Sequence, residues 1–384
     1  MDFALWMYPW DVLDEGVTTV VERLDDIGIT EVNLATNYHT VQAFLPHNPV
    51  RKTFFAQASS YFQPDAGYVD LKPTPNETMG ENDWVREIAD GLEGTQIALT
   101  SWTVGCHNSR LGLQHPEMTI RTPFNDSLAF GLCPSNPAVQ QYLLDVLEEL
   151  SAREAFDRIE LESFDYMYGT GFGWHHQKIH ARLGTLGEFL FGLCFCDHCR
   201  ENAANKGVDV DHAGRVCRET VLQLVEGRLP STIDPYSWLA THPEVDKYVN
   251  ARTSVLMTLF SDCREIVDAE MGYYLGLLDV EDAWMHGADL KRLAEPLDYY
   301  TVIAYESSGS AAAARLRVAD SLTPDISLHV GLLPGHPAVD DAASVSELVD
   351  AVVDAGAERV SFYNYGLLPE RNLDWIREAI REYV

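Results

Sequence analysis

"NPAVQQYLLDVLEELSAR", Asn136 to Arg153, is followed closely by "RIELESFDY", Arg158 to Tyr166. The first stretch is amphipathic, with Asn136 suited to an N-cap and Pro137 to the first helical position, where its missing N–H costs nothing. The second alternates apolar and acidic residues, the period of a strand. Working outward, strand-like runs recur at Phe3 to Pro9, Glu31 to His39, Ile97 to Gly105, Arg158 to Tyr166, Tyr273 to Val280, Tyr299 to Ser307, Ile326 to Gly335 and Arg359 to Gly366. Helical runs such as "SVSELVDAVVDAGA" lie between them. Eight strands alternating with helices predict an α/β chain folded as a (β/α)8 TIM barrel. No G-x-G-x-x-G fingerprint follows any strand, which argues against an open nucleotide-binding sheet.

The 384 residues, 46 % hydrophobic, suffice for a large core, and the net charge is -32. Fifty-nine acids stand against 27 basic residues, of which six are lysines. Such a surface suits a saline, halophilic setting and argues against nucleic acid or an anionic membrane as partner. The start "MDFALWMYPWDVLDEG" has no basic region ahead of a long apolar run, so a cytoplasmic location is expected. Seven unevenly clustered cysteines fit a reducing compartment and a metal site better than a disulfide framework.

In a barrel of this kind the strand ends carry the chemistry. Asn37, Tyr38 and His39 close the second run; Cys106, His107, Asn108 and Arg110 follow the third; Glu160, Glu162 and Asp165 lie in the fourth. Asp279 and Glu281 end the fifth, Tyr305 and Glu306 the sixth, and Tyr363, Asn364 and Tyr365 the eighth. Glu281 with Asp282 reads as a helix-dipole partner. Carboxylates supply acid, base or nucleophile, aromatic faces stack on sugar rings, and amides and histidines bind hydroxyls, a combination suited to a carbohydrate cleft. The expected substrate-binding set is therefore Tyr38, His39, His107, Asn108, Glu160, Asp165, Asp279, Tyr305, Tyr363 and Asn364, joined by His175, His176 and Lys178 of the loop "FGWHHQKIH". Glu160 and Glu162, two apart on a strand, share a face, and the cost of burying unpaired acids against helices favours the barrel lumen. Glu162, nearer the C-terminal end, is the expected catalyst, with Glu160 orienting it or making a structural hydrogen bond.

"LCFCDHCR", Leu193 to Arg200, offers three thiolates at a spacing suited to one tetrahedral zinc ion, with a fourth ligand to come from Cys133, Cys106, Cys217, Cys263 or His198. The segment "LCPSNPAVQQYLLDVLEEL", the strand "IELES" and the C-x-C-x-x-C loop together resemble the family-42 glycoside hydrolases, β-galactosidase-like (β/α)8 barrels, over roughly Cys133 to Cys199. The resemblance implies that Cys133, Cys194, Cys196 and Cys199 hold a structural zinc and that the strand-four acid, Glu162, is catalytic. That family's nucleophile is a glutamate ending strand seven, whereas "ISLHVGLLPG" has none. The chain as a whole is similar to a group of glycosidase-like barrel proteins marked by "HNSRLG", "LCPSNP", "IELES", "HH-x-K", "LCFC-x-x-C" and "FYNYGLL".

With no acid on strand seven, Glu306 is the expected catalytic partner of Glu162. One of the pair serves as general acid/base and the other as nucleophile or water-activating base on a glycosidic bond, with an oligosaccharide or small glycoside as substrate. Two alternatives stand beside a hydrolase: a sugar isomerase, epimerase or lyase holding a divalent metal on Glu162, Asp279, Glu306 and a histidine, and a non-catalytic sugar-binding barrel. Residues 169–250 are too long for an ordinary connection and read as a zinc-stabilised insertion within a single domain spanning 1–384. The sequence leaves room for a homo-oligomer.

Overall fold

The computed structural model describes every residue other than 66, 168, 170–178, 276–279 and 324. Eight parallel strands form the barrel: β1 (Asp2–Met7), β2 (Glu31–Tyr38), β3 (Ala98–Val104), β4 (Arg158–Glu162), β5 (Glu270–Leu275), β6 (Tyr299–Ile303), β7 (Ser327–Leu332) and β8 (Arg359–Phe362). Each pairs with the next in chain order, and β8 pairs with β1 through Asp2↔Arg359 to Leu5↔Phe362, which closes the ring. The outer layer holds α1 (Val17–Ile27), α2 (Trp84–Leu92), α3 (Pro137–Ser151), α4 (Pro243–Ile266), the one-turn α5 (Leu290–Leu293), α6 (Gly309–Leu322), α7 (Ala342–Asp354) and α8 (Glu370–Ile380). This is the (β/α)8 barrel that the alternation predicts. Strand five begins at Glu270, three residues before the expected Tyr273. Gly272 obscures it in the sequence, yet it is required there, because a Cβ would stand 2.1 Å from the Tyr299 ring.

Local signals and packing agree on α3. Asn136 accepts from the Ala138 amide, Pro137 opens the helix, and Val139, Leu143, Val146, Leu147 and Leu150 are buried against the barrel. In β4, Ile159 and Leu161 face this helix layer while Arg158, Glu160 and Glu162 face the lumen. The lower lumen is ionic. Arg359 on β8 bridges Glu31 on β2 at 2.5 Å and Glu160 on β4 at 2.6 Å, and Arg158 adds a 2.8 Å contact to Glu31. Thr301 donates to Glu160 at 2.9 Å and Tyr274 donates to its other oxygen. Every carboxylate oxygen in this layer has a donor, which is what allows two acids to be buried between strands.

The longer connections gather above the strands' C-terminal ends. Between β2 and β3 comes a hairpin of Val41–Phe44 and Thr53–Ala56, and between β3 and α3 a second one of Thr119–Arg121 and Ser127–Leu132. Between β4 and α4 come the helices Gly184–Gly192, Asp197–Asn205, Val210–Val225 and Pro235–Ala240, within the stretch expected as the insertion. No helix among the described residues is long and apolar enough to cross a membrane.

Candidate functional site

A cavity of about 980 Å³ opens at the C-terminal end of the strands, the size of a site for a small organic ligand. Its wall is aromatic because the period of two along each strand delivers rings to the lumen. Trp6 and Tyr8 come from β1 and the residue just past it, Trp102 from β3, Tyr274 from β5, and Tyr305 and Tyr363 from the ends of β6 and β8. In β2 the alternation is interrupted. Glu31 and Asn33 face the lumen, but a bulge between Ala35 and Asn37 turns Asn37 outward to Val104 O and the Tyr142 hydroxyl and brings Tyr38 into the cavity. The Tyr8 hydroxyl donates to Tyr38 at 3.2 Å and lies 3.1 Å from that of Tyr363, so three phenols converge on one wall.

Three described carboxylates line this space: Glu162, Asp165 and Glu188. The Trp102 indole N–H donates to Glu162 Oε2 at 2.5 Å. Burial pushes the Glu162 carboxyl up to about 7, with the Trp102 hydrogen bond pulling down and the charges of Asp165 and Glu160 pushing further up. A carboxyl poised there can give up or take a proton near neutral pH. Between Glu162 and Asp165, Ser163 adopts φ 56°, a left-handed conformation that a non-glycine residue holds only at a cost. Asp165 accepts from the Tyr273 hydroxyl on one oxygen, and its other oxygen lies 3.1 Å from His286 Nδ1. The same Nδ1 lies 3.1 Å from the carbonyl of Tyr166, and two acceptors facing one ring nitrogen place its proton there.

His39, also in the cavity lining, stacks on His107 with ring centroids 4.5 Å apart. Burial pulls His39 down to about 4 and His107 down to about 3, the latter aided by the neighbouring His39 charge, so both rings are neutral at pH 7.

Of the residues expected from sequence, Tyr38, His39, His107, Glu162, Asp165, Tyr305 and Tyr363 line the cavity. Four others do not. Glu306 follows Tyr305, and since Ile303 and Tyr305 take the inward positions, Glu306 turns outward to a 2.9 Å ion pair with Arg315 of α6. Asn108 caps the helix Ser109–Gln114 by accepting from the Leu111 amide, and Asn364 is fully buried, accepting from the Gly366 amide. Glu160 is sealed below the cavity by Arg359. His175, His176, Lys178 and Asp279 lie outside the described residues.

Sequence reasoning missed Trp6, Tyr8, Trp102, Tyr273, Tyr274, Glu188 and His286, all of which line the cavity. Trp6 with Tyr8, and Trp102 with the lumen position two before it, carried a usable signal in their spacing. Glu188 lies in the helix Gly184–Gly192 and His286 at the end of the 3-10 helix Val280–His286, both in connections where the strand period of two gives no signal.

The cysteines form a separate, buried cluster. Cys133 follows the hairpin strand Ser127–Leu132, and Cys194, Cys196 and Cys199 lie at the start of the helix Asp197–Asn205. Cys133 Sγ lies 3.5 Å from Cys199 Sγ and 3.6 Å from those of Cys194 and Cys196, and all four sulfurs fall within 4.8 Å of one another. Metal–sulfur bonds of ~2.3 Å give a tetrahedron with edges of ~3.8 Å, so the four fit one metal ion with a closed coordination sphere. Among the described residues this is the one such group, and Cys106, Cys217, Cys263 and His198 are not part of it.

No protein-family model matches the chain, and no curated protein matches it. Solved structures do. The glycoside hydrolase domain of PgaB (BpsB) from Bordetella bronchiseptica superposes with a TM-score of 0.61 at 12 % identity, covering 99 % of this chain and 98 % of that one. Alpha-L-fucosidase isoenzyme 2 from Paenibacillus thiaminolyticus gives 0.60 at 11 % identity, and the β-galactosidase from Marinomonas ef1 gives 0.59 at 13 %; each covers 100 % of this chain. The chain spans 49 % of the fucosidase and 59 % of the galactosidase. At these identities the likeness is one of fold.

Proposed function

We propose that the chain is a glycoside hydrolase in which Glu162 is the general acid/base and Asp165 its partner carboxylate. The observation that carries the reading is the pairing itself: a carboxyl raised to about 7 and a second carboxylate three residues on, both in one aromatic-walled cavity at the strands' C-terminal mouth. A carboxyl raised by burial suits the acid role beside a second carboxylate in the same cavity. The ion pair of Glu306 with Arg315, and its position off the cavity lining, support Asp165 in place of Glu306. Tyr273 and His286 hold Asp165 in one orientation, Trp102 does so for Glu162, and the Trp6, Tyr274 and Tyr305 rings supply faces for sugar stacking. The glycoside hydrolases among the structural neighbours support the class of reaction at the level of the fold.

In the same reading Cys133, Cys194, Cys196 and Cys199 hold a structural zinc, as in the local resemblance to family 42. Four thiolates leave no open position for water, so the metal takes no part in bond cleavage. The chain is a single barrel domain whose excursion over residues 169–250 is braced by that site.

The test is hydrolysis of a panel of aryl glycosides and oligosaccharides in molar salt by the wild-type chain and by Asp165→Asn. Cleavage by the former and its loss in the latter support the reading. Equal turnover by both would remove Asp165 from the chemistry, and sugar binding with no cleavage of any panel member would favour the non-catalytic barrel.

A further inference from the structure

Arg252 of α4 is 2 % exposed. One of its nitrogens donates to the carbonyl of Met285 at 2.8 Å, while Nε and the other terminal nitrogen are buried without a hydrogen-bond partner. No carboxylate among the described residues forms an ion pair with it, although acids outnumber basic residues by more than two to one in this chain. Its guanidinium lies over the Tyr166 ring at 4.8 Å and the Phe189 ring at 5.5 Å. Ring faces attract a cation but do not replace a counter-charge, and a buried cation with none is expensive.

Two tyrosines link it to the cysteine cluster. Tyr248, one helical turn earlier and so on the same face of α4, donates to the carbonyl of Cys194 at 2.7 Å and stacks on Phe195 at 4.3 Å. The hydroxyl of Tyr166, whose ring Arg252 covers, is 2.6 Å from that of Ser135, two residues past Cys133. A divalent ion on four thiolates carries two net negative charges inside the protein, and these need compensation as much as Arg252 does.

We propose that Arg252 is the counter-cation of a metal-loaded tetrathiolate centre formed by Cys133, Cys194, Cys196 and Cys199. This rests on the zinc reading above and extends it to a residue 53 positions beyond the last ligand, with no ligand spacing to mark it. Its partner is thus a metal centre rather than a side-chain carboxylate, which accounts for a buried arginine without an acid partner among the described residues of an acid-rich chain. Partners outside the ligand sphere commonly change metal affinity by ~10–100-fold, the range expected for a compensating charge.

The experiment measures zinc content of the full chain by elemental analysis and zinc affinity by competition with a chromogenic chelator, for wild type, R252M, R252Q and R252K. The expected result is one zinc per wild-type chain, at least about tenfold weaker binding in R252M, and recovery of most of that loss in R252K, which keeps the charge. R252Q keeps a donor for the Met285 carbonyl and loses only the charge, so it carries the same expectation as R252M should the latter fail to fold. Zinc held by R252Q as tightly as by wild type would overturn this proposal and leave the zinc site standing. Wild-type protein free of zinc would overturn both.

Discussion

The indole nitrogen of Trp102 on β3 donates a 2.5 Å hydrogen bond to Oε2 of Glu162 at the end of β4. Adjacent strands thus present an aromatic donor and a catalytic candidate in contact, and the bond stabilises the charged carboxylate against the burial that opposes it. Trp102→Phe keeps most of the ring and removes the donor, so the Glu162 carboxyl should rise further. A general acid acts in its protonated form, so the alkaline limb of the kcat/KM profile should move to higher pH. A limb that stays in place or moves down would disconnect Trp102 from the acid.

Stability should respond to the same group. Folding raises Glu162 from the ordinary carboxylate range to about 7, so the folded state disfavours its charge. There is no penalty below the unfolded value near 4.5; it grows as pH rises and is complete above about 7. Glu162→Gln should therefore be more stable than wild type at pH 8, by at most ~3 kcal/mol given the carboxyl's partial exposure, and equal to it at pH 4. Urea unfolding at the two pH values checks the sign, and a variant less stable at pH 8 would contradict it.

Arg359 holds the base of the barrel by bridging Glu31 and Glu160 from three different strands. Arg359→Met leaves two buried carboxylates short of a cation and should cost about 3–5 kcal/mol. A loss below about 1 kcal/mol in denaturant melts would show that Arg158 compensates alone.

The net charge of -32 predicts that melting temperature falls as salt is diluted from molar to millimolar, because the negative surface then repels itself with less screening. A flat profile would contradict a salt-adapted surface.

On the proposed zinc reading, Cys196→Ser removes one of the four clustered thiols and should abolish stoichiometric zinc and lower stability, since metal binding to such a site is folding free energy. An unchanged melting temperature in protein shown to lack zinc would deny the site a structural role.

The barrel was legible because each strand is a short apolar or aromatic run bounded by turn residues, and the helix at Asn136 announces its own cap. The cysteine cluster was legible as far as its three close members; Cys133 comes from 61 residues away, beyond the reach of spacing alone. The acid pair was harder, because it depends on side-chain parity where strands end. Glu306 and Asp165 both sit just past a strand, but β6 continues its alternation through Tyr305 and turns Glu306 out, while the left-handed Ser163 breaks alternation after Glu162 and turns Asp165 in. A bulge does the same for Tyr38. Glu160 shows the converse: its lumen face followed from the period of two, but its closure by Arg359, 199 residues later, did not.

Proton transfer by Glu162 in glycosidic cleavage is tested most directly by kcat of Glu162→Gln against wild type on a hydrolysed glycoside. The amide keeps the shape and the Trp102 contact but cannot exchange a proton, so kcat should fall by roughly 10²–10⁴-fold with the fold unchanged by circular dichroism. Turnover within a few-fold of wild type would show that the strand-four glutamate is not the acid.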